Sequence, residues 1–274
     1  MSKTSPVRHA SPRLAASVTW MFAESPFLDR PSAAARAGFA AVECHYPYQT
    51  SPDDLRTALA DAQIPILSIN TAVQRLGPQD TGMAAIPGHE TEAEHRFDEA
   101  LEYLLLAGGR AIHVKPGNAD AADPAAHACF VSHLRRSAAK AARHSVTLLI
   151  EPLNRQENGA YFLRSNAQAA AIIDEVGAPN LRLMFDLYHM RMDGGNVIAD
   201  FARYRGKIGH LQFAGIPGRH EPDGCGDTGA CLSMLAQLHH AGYDGWMAAE
   251  YRPCGPTADG LGWMKRLEKL VAER

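Results

Sequence analysis

The chain has 274 residues, 46% of them hydrophobic and 21% charged, with a formal net charge of −3. That is ample apolar material for one large α/β domain, and the slight negative charge gives no general attraction to nucleic acid or to an anionic membrane. Five cysteines (Cys44, Cys129, Cys225, Cys231, Cys254) are scattered without any Cys-x-x-Cys pair, which argues against a disulfide framework or a structural zinc knuckle and favours a reducing, cytoplasmic compartment.

Residues 1–13, rich in Ser, Pro and basic residues, read as a disordered tail, and no run approaches the ~18 apolar residues of a membrane span. Residues 14–20 are a short apolar run; residues 29–37 are alanine-rich and stop at Gly38, so a strand, a loop and a helix are expected. Residues 41–46 predict a second strand carrying Glu43 and His45, and Ser51-Pro52-Asp53-Asp54 opens a helix reaching Ala62. A third strand over 64–71 has Asn70 near its end. The stretch 72–89, broken by Gly77-Pro78 and Pro87-Gly88, is long for a loop in a compact domain and suits a lid.

A helix over 91–106 stops at Gly108-Gly109, a strand over 111–115 ends in Lys115, and Asp123-Pro124 starts another helix. The fifth strand, 147–154, runs Thr-Leu-Leu-Ile-Glu-Pro-Leu-Asn, an apolar strand that ends on a carboxylate, Glu151. Then follow a helix over 165–176, a strand over 181–190 with Asp186 and His189, and a short helix over 196–204. A strand over 208–214 with His210 and Gln212, a helix over 228–241, a strand over 245–251 with Glu250 and a helix from 257 complete the chain. Eight strands alternating with eight helices, each interval long enough for a parallel crossover, are what a single-domain (β/α)8 TIM barrel over residues 14–274 requires. The rival, a doubly wound open sheet, lacks a glycine-rich phosphate fingerprint after its first strand.

An acid at the end of a buried strand needs a cationic partner, because an unpaired buried charge is costly. In such a barrel the active site lies at the C-terminal strand ends. There Glu151, Asp186, Gln212 and Glu250 place one oxygen donor on each of strands five to eight. Adjacent strands are about 4.8 Å apart, so the four can converge on one point. Three carboxylates and an amide oxygen form a hard site suited to Mg²⁺ or Mn²⁺, and three acids aimed at one spot would repel unless a cation held them ionised. Singly, each has a plainer role: Asp186 could cap the next segment, Gln212 satisfy a backbone group, Glu250 pair with Arg252.

The runs Phe27-Leu28-Asp29-Arg30, Ile150-Glu151-Pro152-Leu153-Asn154, Phe185-Asp186-Leu187-Tyr188-His189-Met190, Ile208-Gly209-His210-Leu211-Gln212, Gly245-Trp246 and Glu250-Tyr251 resemble the hydroxypyruvate isomerase family of xylose-isomerase-like barrels. The likeness extends from about Leu14 to the C-terminus. It implies a divalent metal held by Glu151, Asp186, Gln212 and Glu250, with Glu151 and Glu250 also the catalytic proton carriers. It further implies that His189 and Arg219 contact substrate. Glu157 matches an acid on the substrate side of related epimerases, and Gln212 stands where those epimerases carry a histidine. Lys115, Asn70 and His45, at other strand ends, complete the candidate substrate contacts. Asp223-Gly224-Cys225-Gly226-Asp227 departs from the family pattern at the pocket rim.

The activity so implied interconverts hydroxypyruvate and tartronate semialdehyde (2-hydroxy-3-oxopropanoate) by proton transfer between neighbouring carbons. The expected partner is a small hydroxy or keto acid, with no nucleic acid or membrane partner and with homo-oligomerisation left open. The same superfamily offers a 2-oxo-tetronate isomerase or a ketose epimerase as alternatives. A metal-dependent endonuclease or a non-catalytic sugar-acid binding protein would be a different class; the former needs a histidine-rich multi-zinc cluster and a basic face.

Overall fold

The computed structural model describes residues 11–71 and 81–273. Eight parallel strands lie in the order β2-β1-β8-β7-β6-β5-β4-β3. They are β1 (Arg13–Ser17), β2 (Ala41–Glu43), β3 (Ser68–Asn70), β4 (Ala111–His113), β5 (Thr147–Ile150), β6 (Leu181–Asp186), β7 (Ile208–Phe213) and β8 (Trp246–Ala249). The remaining seam, β2 to β3, is closed by a parallel bridge between Val42 and Ile66, with Leu67 N–H donating to Val42 O at 2.8 Å and Val42 N–H to Pro65 O at 2.9 Å. The chain thus forms the expected TIM barrel. Its outer layer comprises α1 (Arg30–Arg36), α2 (Pro52–Asp61), α3 (Glu90–Ala107), α4 (Pro124–Ala142), α5 (Asn166–Val176), α6 (Leu187–Met192), α7 (Val197–Tyr204), α8 (Ala230–His240) and α9 (Gly262–Ala272).

Helix starts follow local chemistry. Ser165 Oγ accepts from Gln168 N–H and Asn196 Oδ1 from Ala199 N–H, which satisfies donors a helix leaves open in its first turn. Gly108 and Gly177 end α3 and α5 with φ of +81° and +70°, the left-handed conformation that costs a residue without Cβ nothing. Strand residues that face outward pack under the helices in one large core, while Ala15, Ala41, Leu67 and Ala248 form a separate small cluster inside the barrel. Three of the four are alanines, and the strand ends that follow carry polar residues.

Three expectations are corrected. The sixth strand does not reach Met190: it ends at Asp186, and Leu187–Met192 is helical, because Asp186 Oδ1 accepts the Tyr188 N–H at 2.6 Å and so caps a new turn. Arg13, assigned to the tail, is the first residue of β1 and lays its guanidinium 4.1 Å from the Trp246 ring centroid. Cys225 and Cys254, read as unpaired, form a disulfide between the loops after β7 and β8; their separation of 29 residues hides a closeness created by adjacent strands. The start of the presumed lid, residues 72–80, lies outside the described residues. Its later part is pinned to the exit of β4, with Gly82 bridging Pro116 and Ala85 N–H donating to Pro116 O at 2.7 Å.

Candidate active site

The strand ends deliver the expected residues to one place. Asp186 closes β6 and pairs in register with Gln212 of β7, Gln212 pairs with Ala248 of β8, and Glu151 and Glu250 follow directly on β5 and β8. A bulge fixes the inward face of β7: the β6–β7 register shifts between Leu183 and Met184, skipping Gly209, so His210 and Gln212 both point into the barrel. A Cβ at Gly209 would lie 2.4 Å from Arg182 Cβ, so only glycine fits that bulge.

A pocket of about 550 Å³ opens over these ends. His45, Asn70, Lys115, Glu151, Glu157, His189, Gln212, Arg219 and Glu250 all line it. Asp186 lies next to it, buried, with Oδ2 accepting from Arg219 Nη2 at 3.2 Å. Arg219 also stands 3.1 Å from Glu250 Oε1, and His45 Nε2 lies 2.7 Å from that same oxygen. Glu250 therefore pairs with His45 and Arg219 rather than with Arg252.

The side chains named only as substrate contacts are held firmly. His189 Nδ1 accepts from the backbone N–H of Asn154 at 3.1 Å, which leaves the ring proton on Nε2, 3.7 Å from Glu151 Oε1 and 3.8 Å from Asp186 Oδ2. Glu157 accepts from Tyr188 Oη at 2.7 Å and from Asn154 Nδ2 at 3.0 Å. Lys115 Nζ is 2.7 Å from Tyr46 Oη, and the Asn70 backbone carbonyl receives the Tyr48 hydroxyl.

Charge is unevenly spread among the acids. Burial pushes the Glu151 carboxyl well above the usual range, and the neighbouring Asp186 and Glu250 add to it. Burial likewise lifts Asp186 to about 6, against the pull of Arg219. Burial acts on Glu250 too, but Arg219 and His45 outweigh it and bring that group down to about 2. His189 and His113 are driven toward the neutral form, chiefly by burial and then by Arg219 and Lys115 respectively.

Among the described residues five buried side-chain oxygens lack a hydrogen-bond partner, Ser17 Oγ, Tyr161 Oη, Glu151 Oε1, Gln212 Oε1 and Glu250 Oε2, and the last three belong to residues that line the pocket. Buried acceptors are ordinarily satisfied, and these three belong to the set that sequence reasoning assigned to a cation. Carboxylate oxygens of Glu151 and Asp186 also lie within 4.8 Å of one another. The donor chemistry fits a hard divalent ion. His113 was missed: it is buried, with Nδ1 3.6 Å from Glu151 Oε2 and Nε2 unpaired. The available signal was its position two residues before Lys115 on the same strand face. Trp20 was missed as well; its ring lies 4.6 Å from the Arg219 guanidinium, and nothing in its local sequence marks it.

A family profile described as "Xylose isomerase-like TIM barrel" matches residues 31–267. The chain belongs to the xylose isomerase-like TIM barrel family. Within that family it is 40% identical to the 2-oxo-tetronate isomerase of Cupriavidus necator, over 93% of this chain and 98% of the relative. It is 32% identical to the hydroxypyruvate isomerase of Escherichia coli, over 92% and 98% of the two chains. Among solved structures, one described as AP endonuclease, family 2 from Brucella melitensis superposes with a TM-score of 0.83 at 33% identity, covering 93% of this chain and 98% of that one. This xylose isomerase-like barrel is an isomerase of the same class as its named relatives.

Proposed function

We propose that this barrel is a divalent-metal-dependent isomerase of short 2-oxo acids, interconverting hydroxypyruvate and 2-hydroxy-3-oxopropanoate. The observation that carries the reading is that Glu151, Gln212 and Glu250, which line one pocket with Asp186 beside it, each have an unpaired buried oxygen. These four residues would hold the ion. When bound, Mg²⁺ or Mn²⁺ would supply Lewis-acid chemistry that offsets the negative charge developing on the substrate.

The protein's own groups do the rest. Glu151 or Glu250 takes the proton from the hydroxymethyl carbon, and the other, or the same one, returns a proton to the neighbouring carbon as the carbonyl changes place. His189 presents its Nε2 proton toward the same space and can donate to a substrate oxygen. Lys115 and Arg219, which line the pocket, are the cations for the substrate carboxylate and would favour acids over neutral sugars. The walls of Trp20, Tyr46 and Leu153 limit water around the reacting carbons.

A four-carbon substrate, 2-oxo-tetronate, is the second reading, supported by the 40% identity to the Cupriavidus necator relative and by a pocket of about 550 Å³, roomy for a three-carbon acid. Incubating the protein in D₂O with added Mg²⁺ or Mn²⁺ and a panel of three- and four-carbon keto acids and ketoses, followed by NMR, separates the two. Deuterium entering hydroxypyruvate faster than any four-carbon acid supports the first. Exchange into none of them while a ketose exchanges removes both.

A further inference from the structure

Glu43 is 1% exposed and sits at the end of β2, separated from β7 by the two strands β1 and β8, yet its carboxylate reaches across the barrel to it. Oε1 receives the Gln212 amide Nε2 at 2.7 Å, Oε2 faces His210 Nε2 at 2.6 Å, and the Ser68 hydroxyl donates to Oε2 at 3.3 Å. A carboxylate only accepts, so it selects the NH₂ end of the Gln212 amide and turns the carbonyl end the other way. That carbonyl oxygen, Gln212 Oε1, is one of the three unpaired buried oxygens of the site. Without the carboxylate, nothing else among the described contacts of Gln212 distinguishes the two ends of its side chain.

We propose that Glu43 is a positioning residue that fixes the Gln212 amide with its oxygen toward the metal pocket, and holds His210 beside it as a brace. The inference rests on the metal-dependent reading above and adds to it a residue that touches neither ion nor substrate. The amide is the weakest of the four donors because it carries no charge, so its affinity depends most on being aimed correctly.

Two conservative variants separate aiming from electrostatic field. Glu43→Gln keeps the reach but removes the charge and brings an NH₂ that can donate to Gln212 Oε1, so it no longer selects one end of that amide. Glu43→Asp keeps the charge and withdraws the acceptor by one methylene. Mn²⁺ affinity, measured by electron paramagnetic resonance on folded protein verified by circular dichroism, is expected to fall about ten-fold or more in Glu43→Asp, where the charge is kept, as well as in Glu43→Gln. In a Gln212→Leu background, Glu43→Asp is expected to cost nothing further, because the two act as one unit. Loss of affinity in Glu43→Gln with none in Glu43→Asp overturns the inference in favour of a field effect. A further loss in the Gln212→Leu background overturns it as well. Failure of the wild type to bind Mn²⁺ removes the metal reading and this inference together, whereas wild-type binding with Glu43→Asp unchanged removes this inference alone.

Discussion

Arg219 Nη2 lies 3.1 Å from Glu250 Oε1, a buried ion pair that joins the loop after β7 to the end of β8. Because Asp186 Oδ2 shares that same nitrogen at 3.2 Å, one guanidinium answers two of the three acids in the cluster. Its loss would leave Asp186 Oδ2 without its hydrogen-bond donor and Glu250 Oε1 with His45 alone. Replacing Arg219 by Met is expected to lower kcat/KM by about 10–100-fold, the worth of a charge-assisted hydrogen bond of roughly 1.5–3 kcal/mol. Lysine should restore little, since it lacks the planar guanidinium that lies over Trp20 and Tyr188 and the Nε that donates to the Glu250 carbonyl. Steady-state kinetics of both variants on the preferred keto acid checks this, and a fully active lysine variant would count against a need for the guanidinium.

Glu151→Gln and Glu250→Gln should each reduce isomerisation by about 10²–10⁴-fold, the usual contribution of a positioned general acid or base, while far-ultraviolet circular dichroism stays native. Solvent-deuterium incorporation measures the proton transfer directly. Turnover near the wild-type rate in either variant removes that residue from the proton path.

Chelation should abolish activity and added Mn²⁺ or Mg²⁺ restore it. Since an ion that binds only the folded state stabilises it, Mn²⁺ at a hundred times its dissociation constant is expected to add about 2.7 kcal/mol. A thermal melt with and without the metal reads this independently of substrate. An unchanged melting temperature at millimolar Mn²⁺ would speak against a cation at these four residues.

His133 of α4 is 2% exposed, rests 3.2 Å from Ser137 Oγ, and packs its ring against Phe97. Burial, with help from Arg136, brings it from 6.5 down to about 4, while Glu94 and Asp98 oppose that shift. Between those values the unfolded chain binds a proton that the folded chain refuses. Stability from this group is therefore complete above about pH 6.5 and is lost as pH falls toward 4, by about 2–3 kcal/mol at pH 4.5. Urea unfolding of wild type and His133→Gln at pH 7 and pH 4.5 should show a steeper acid loss in the wild type. Equal losses would mean that His133 titrates alike in both states.

Gly209→Ala puts a methyl group 2.4 Å from Arg182 Cβ and 3.2 Å from Leu149 Cδ2. The expected cost is about 1–3 kcal/mol of stability, as for other overpacked sites. Because the bulge orients Gln212, Mn²⁺ affinity should fall as well; denaturant titration and metal titration of the same sample test the two together.

The alternation of eight apolar runs with eight helical segments, and the acids at the ends of runs five, six and eight, were legible in the sequence because strand burial and helix capping are local. Residues such as Ser165, Asn196, Gly108 and Gly177 mark their helix ends with chemistry that operates within one turn. Glu151, Asp186, Gln212 and Glu250 could be grouped before any coordinates existed, since the barrel frame fixes where strand ends go. Tertiary structure alone decided the rest. The segment after Asp186 is apolar enough for either a strand or a helix, and the cap that Asp186 gives to Tyr188 resolves it. Cys225 meets Cys254, and Glu43 meets Gln212 169 residues away, because β7 and β8 are neighbours and β2 faces β7 across a narrow interior. Such pairings depend on register and on which way a side chain points across the barrel, and no local pattern of residues encodes either.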